Sequence, residues 1–227
     1  MKLLVGGCSH SAGSEIIEPW HPRCPEQAWG QHLANHFNCT EYINIAGPGY
    51  SNQWICNKTI KFLENCNNIS EWVVAIGWSS SCRLPVYDYD YNAVVHLCPG
   101  HRNLKVHSKP VQLAYPHLYG TMLPEKLAIE LEHSRILGMQ MLLTQLNIPY
   151  IFFDTINSNH QNMSSKLINQ KNYFRYDQQD LLYWQFYKKH RWTGDERWEN
   201  HAPPSYHAEW AQLVIDYIEE NNLWNIK

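Results

Sequence analysis

The 227-residue sequence contains no run of like charges, no apolar stretch long enough to cross a membrane, no CxxC pair and no internal repeat. Its formal charge of -3 is dispersed along the chain, so the footprint of a polyanion binder or of a polybasic membrane surface is missing. Neither nucleic acid nor membrane is an expected partner. The opening MKLLVGG has too few apolar residues ahead of its glycines for a signal-peptide core, and the expected compartment is the cytoplasm. Seven cysteines, an odd number without close pairs in a chain large enough not to need staples, read as reduced thiols. Of thirteen histidines, His32 and His36 fall four apart on a predicted helix. They lack the HExxH glutamate, and a solvated helix face accounts for them. No metal and no organic cofactor is expected.

What is present is apolar pattern. With 44% hydrophobic and 13% aromatic residues the chain can bury the core of one domain, residues 1–227. Short apolar runs at Lys2–Gly6, Tyr42–Ala46, Trp72–Ile76 and Pro149–Phe153 read as strands. Helical spacing covers Pro25–Phe37, Asn52–Glu64, Pro124–Asn147 and Asp177–Lys189, and a last helix capped by Ser205. On the long helix the apolar stripe is read as Leu127, Leu131, Leu137, Met141 and Leu142. Residues 79–123 break the rhythm and read as an irregular insertion over the site, a place where functional loops are common. Alternating strands and helices imply an α/β protein with a three-layer, flavodoxin-like parallel sheet covered by helices on both faces. In such sheets ligands bind beyond the carboxyl ends of the strands.

Chemistry-bearing residues fall at those ends. Gly6-Gly7-Cys8-Ser9-His10-Ser11-Ala12-Gly13 follows the first strand, Asn44-Ile45-Ala46-Gly47-Pro48-Gly49-Tyr50-Ser51-Asn52 the second, and Gly77-Trp78-Ser79-Ser80 the third. Trp198-Glu199-Asn200-His201-Ala202-Pro203-Pro204 precedes the last helix. In order and content these blocks resemble the SGNH/GDSL hydrolases over nearly the whole chain, in a divergent, phage- or bacterium-type form. In two places the sequence departs from the family pattern: Cys8 stands where the family has Asp, and Ser79 stands where it has the Asn of its third oxyanion donor.

The resemblance implies the SGNH hydrolase fold and a serine esterase-like activity on an acyl ester. Ser9 is then the nucleophile, His201 its base and Glu199 the orienting acid, with Asp195 or Asp154 as alternative acids. Gly49 supplies an oxyanion N–H, with Asn52 and Ser79 as replacements for the third donor. Trp78 and the tyrosines Tyr87, Tyr89 and Tyr91 offer stacking surfaces, so a small-molecule or glycan acyl ester, and in particular an O-acetylated glycan, is the expected substrate. A phage-encoded chain would act in a host cytoplasm or virion. Two rival readings stand beside this one: a non-catalytic glycan-binding or phage structural protein of the same fold, and an acyltransferase dependent on Cys8. Ser9 has a structural reading too, as the cap of the following helix.

Overall fold

The structure, a computed structural model, is described for all residues except 19–22, 100–103, 157–165, 177, 179–181, 191–199 and 225–227. The described residues include the strands β1 (Lys2–Gly7), β2 (Glu41–Asn44), β3 (Trp72–Trp78), β4 (Leu84–Asp88), β5 (Ala93–Leu97) and β6 (Tyr150–Asp154). They also include the helices α1 (Ser9–Ala12), α2 (Trp29–His36), α3 (Asn52–Glu64), α4 (Lys109–His117), α5 (Glu125–Gln145), α6 (Tyr183–His190) and α7 (Pro204–Glu220). The main sheet is parallel throughout, in the order β2-β1-β3-β6. Each strand in it is therefore followed by a return segment, and all carboxyl ends lie on one edge.

Strand periodicity divides the core in two. Leu3, Val5, Val73, Ala75, Ile151 and Phe153 point to the face covered by α2, α6 and α7, where Trp29, Tyr183 and Trp210 are fully buried. Leu4, Val74, Ile76 and Phe152 point to the face covered by α3 and α5 through Ile55, Leu63, Ile136, Met139 and Leu143. This is the three-layer α/β arrangement read from the sequence. Among the described residues no helix is long and apolar enough to cross a membrane.

Several local readings are corrected. The stripe of α5 is not the one read from the leucines: Ala128, Ile129, Ile136, Met139 and Leu143 are buried, whereas Leu127, Leu131 and Met141 are exposed. Apolar residues run almost all round this helix, so its sequence carries little directional contrast and packing decides the face. Helix α7 starts at Pro204 with Pro203 in the cap position, so Ser205 is not its cap. A proline at the first helical position suits a place where the missing N–H would have had no helical partner. Residues 79–123 are not irregular either: β4 and β5 pair as an antiparallel hairpin across a turn in which Asn92 adopts φ 50°, and α4 follows.

Helix α2 begins at Trp29, not at Pro25, because its first N–H finds a distant acceptor. Trp29 N–H donates to His207 Nδ1 on α7 at 3.2 Å. A neutral imidazole that accepts at Nδ1 carries its proton on Nε2, which lies 2.9 Å from the Tyr183 hydroxyl. One buried ring thus ties α2, α6 and α7 together.

At the carboxyl edge, β1 ends in Gly7 and β3 carries Gly77 just before its last residue, for a steric reason. A Cβ on Gly7, whose φ is 151°, would lie 2.2 Å from Ser11 Oγ and 2.9 Å from the Gly77 carbonyl oxygen. A Cβ on Gly77 would lie 2.6 Å from the same Ser11 Oγ. Gly7→Ala is expected to lower unfolding free energy by about 2 kcal/mol or more, since overpacking and a disfavoured φ act together, as urea denaturation will show. Gly120→Ala, where nothing lies within 4 Å of an added Cβ, serves as the control.

Candidate active site

The first loop leaves β1 through Cys8, which is fully buried and occupies the cap position of α1 without making a side-chain cap. Ser9 is the first residue inside α1, so it does not cap that helix. Its hydroxyl, on a side chain 8% exposed, makes no hydrogen bond with a described residue. Thr155 Oγ1 donates to the Trp78 carbonyl at 2.6 Å, which leaves it as acceptor for the Cys8 thiol at 3.3 Å. This relay joins the ends of β1, β3 and β6 where the family pattern has Asp.

After α1, Gly13 (φ 69°) and Glu15 (φ 61°) turn the chain back on itself. A left-handed conformation disfavours a non-glycine residue, and at Glu15 it accompanies a specific contact. Glu15 Oε2 lies 2.7 Å from His201 Nδ1, both side chains being largely buried at 16% and 17% exposure. With the carboxylate accepting from Nδ1–H, the lone pair of His201 is on Nε2. The His201 ring also meets His10, the neighbour of Ser9, with centroids 4.9 Å apart. His10 is packed against Trp184 and Tyr183 on its other sides. No hydrogen bond joins Ser9 Oγ to His201.

The second loop is pinned to the first by Asn44, whose Nδ2 donates to the Ser11 carbonyl at 2.8 Å while Oδ1 accepts from Ala46 N–H at 3.0 Å. Gly47 N–H donates to Gly7 O at 3.2 Å. Gly49 adopts φ 74°, and its N–H makes no hydrogen bond with a described residue. Ser51 caps α3 by accepting from Trp54 N–H at 3.3 Å.

Asn52 and Ser79 are joined face to face. Asn52 Oδ1 accepts from Ser79 N–H at 2.7 Å and Asn52 Nδ2 donates to Ser79 O at 3.0 Å. The amide therefore locks the third loop onto α3, and Ser79 Oγ accepts from Arg83 Nη1 at 2.8 Å. Trp78 is fully buried, edge-on to Phe152 at 5.2 Å, so it presents no face to a ligand and the stacking surface expected there is absent. Of the aromatic residues in the insertion, Tyr87, Tyr89 and Tyr91 are exposed.

Glu199 and Asp195 lie outside the described residues. Asp154 ends β6 and accepts from the Tyr173 hydroxyl at 2.8 Å. The sequence reading missed Glu15 and Arg83. Neither belongs to a spacing pattern, and Glu15 meets His201 across 186 positions.

Burial holds His10 neutral, its pKa well below the usual value, and it pulls His207 down to about 3 and His96 to about 4. The charges of His201 and Arg83 reinforce this at His10, that of His201 at His207 and that of Arg83 at His96.

No protein-family model and no curated protein sequence matches the chain. Among solved structures it is similar to a psychrotrophic esterase from Pseudoalteromonas sp., at TM-score 0.50 and 12% identity, over 96% of this chain and 97% of that one. It is also similar to an acetyl xylan esterase from the rumen bacterium Butyrivibrio proteoclasticus, at TM-score 0.49 and 13% identity, over 99% of this chain. The chain spans 64% of the length of that second protein. At this identity the likeness shows the fold alone: the parallel sheet β2-β1-β3-β6 with its flanking helices is consistent with the SGNH hydrolase fold.

The buried histidines set a pH dependence. Unfolding lets their depressed pKa values return to about 6.5, so the unfolded chain binds more protons below that pH. Their stabilising contribution is complete above pH 6.5 and is lost as pH falls toward 3. His207→Gln, which keeps an acceptor for Trp29 N–H, is expected to reduce the slope of stability against pH in that window by about 1 kcal/mol per pH unit. Urea titrations at several pH values measure it.

Proposed function

We propose that the protein is a serine ester hydrolase in which Ser9 attacks, His201 moves the proton and Glu15 holds His201. The observation that supports it most is the Glu15–His201 pair at 2.7 Å beside the Ser9 loop. A carboxylate on Nδ1–H fixes the tautomer that leaves Nε2 basic and stabilises the imidazolium formed when it takes a proton. In this reading Ser9 Oγ adds to the carbonyl carbon of an acyl ester as its proton passes to His201 Nε2. The carbonyl π pair moves onto oxygen, where the Gly49 and Ser9 N–H groups meet it. Collapse of that adduct expels the alcohol with the proton from His201, and water, deprotonated in turn by His201, releases the acid.

The fold supports an ester substrate class, and the fully buried Cys8 thiol, donating to Thr155, is poorly placed to be a nucleophile. Tyr87, Tyr89 and Tyr91 form exposed aromatic surface on the hairpin β4–β5, which also places His96 over the Gly49–Ser51 loop. That surface favours an O-acetylated sugar over a plain acyl chain, since rings stack on sugar faces.

A fluorophosphonate is expected to label the wild-type protein on Ser9 and not Ser9→Ala, with p-nitrophenyl acetate hydrolysis lost in parallel. Ser9→Ala should melt at the wild-type temperature, because the residue caps nothing. Glu15→Gln is expected to lower kcat by about a hundred- to ten-thousandfold with little change in KM. A Glu15→Gln protein as fast as wild type, with Ser9 still labelled, would transfer the orienting role to another residue.

A further inference from the structure

The segment between β3 and β4 carries a charge that the proposed chemistry leaves unused. Arg83 is half-buried between the second and third loops. Its Nη1 donates to Ser79 Oγ at 2.8 Å and to the Tyr50 carbonyl at 3.4 Å, so one side chain grips both loops at their meeting point. No carboxylate pairs with it among the described residues. Its field is felt by His10, next to Ser9, and by His96, which packs on the Gly49–Ser51 loop. The partly desolvated guanidinium, with three N–H groups still to place, bonds to the carbonyl of Tyr50, whose neighbour Gly49 has a backbone N–H that pairs with no described residue; such donors suit an oxyanion.

We propose that Arg83 and the Gly49 N–H form an oxyanion seat, with Arg83 supplying the donor that the third loop lacks. This rests on the hydrolase reading for its catalytic meaning: the seated group is the oxygen that turns negative when Ser9 adds to the ester. Ser79 is then the acceptor that aims the guanidinium. The departure from an amide at this position becomes an exchange of a neutral donor for a charged one, held by a serine small enough to fit beneath it.

The same guanidinium facing a carboxylate of the substrate would be a different device, and kinetics separates the two. Arg83→Gln, Arg83→Lys and wild type are compared on p-nitrophenyl acetate and on an aryl acetate bearing a ring carboxylate. The expected result is a fall in kcat of about a hundred- to a thousandfold for Arg83→Gln on both esters, partial recovery in Arg83→Lys, and KM within a few fold. A change confined to the KM of the carboxylated ester, or unchanged kinetics on both, overturns the proposal while the hydrolase reading stands. Inorganic phosphate titrated by NMR gives a readout independent of turnover. Phosphate that perturbs the Gly49 amide in wild type and no longer does so in Arg83→Gln supports the seat, including in a protein that hydrolyses nothing, where Ser9 chemistry alone would fall. No perturbation of Gly49 in a wild-type protein that hydrolyses nothing overturns both.

Discussion

The carboxyl edge depends on how closely β1 and β3 approach each other. Ser11 Oγ fits into a space that a single Cβ on Gly7 or Gly77 would occupy. Because it fits, α1 can start directly at the end of β1, and the Ser11 carbonyl is in place to receive Asn44 from the second loop. Asn52 then ties the third loop to the helix after the second. The loops are held by these polar staples, not by a shared apolar core, so the edge is ordered by directional contacts while its surface stays polar.

Much of this was legible in the sequence. Strands betray themselves by short buried runs, and α3 has the very bounds, Asn52 to Glu64, that its spacing gave, because a serine cap and a sharp end frame it. The face of α5 was not legible, since apolar residues surround it and only its neighbours choose among them. The hairpin was hidden because the Tyr–Asp alternation at Tyr87–Tyr91 spans the turn, leaving only short apolar runs on either side of it. Glu15 was invisible for another reason: a pair formed across 186 positions leaves no local trace, and the sole hint, a non-glycine residue in a left-handed turn, exists only in three dimensions.

Two histidines follow opposite logic within one fold. His207 is buried among Tyr183, Tyr206 and Trp210, where a neutral ring that accepts from one helix and donates to another is worth more than a charge. His201 instead meets the Glu15 carboxylate through Nδ1. Proximity in sequence, six positions on one loop and helix, says nothing about the environment of either ring; the partner of each nitrogen sets it.

Arg83 opens the hairpin that carries His96 onto the Gly49–Ser51 loop and holds Tyr87, Tyr89 and Tyr91 outward. In the proposed hydrolase, the strand that leaves the Arg83 corner is the same strand that builds the exposed rim of the hairpin. Lengthening or retwisting the rim shifts the corner with it. If the proposed hydrolase reading holds, a lineage evolving on this scaffold has less freedom to trade one substrate for another without retuning turnover than one in which rim and corner belong to separate loops.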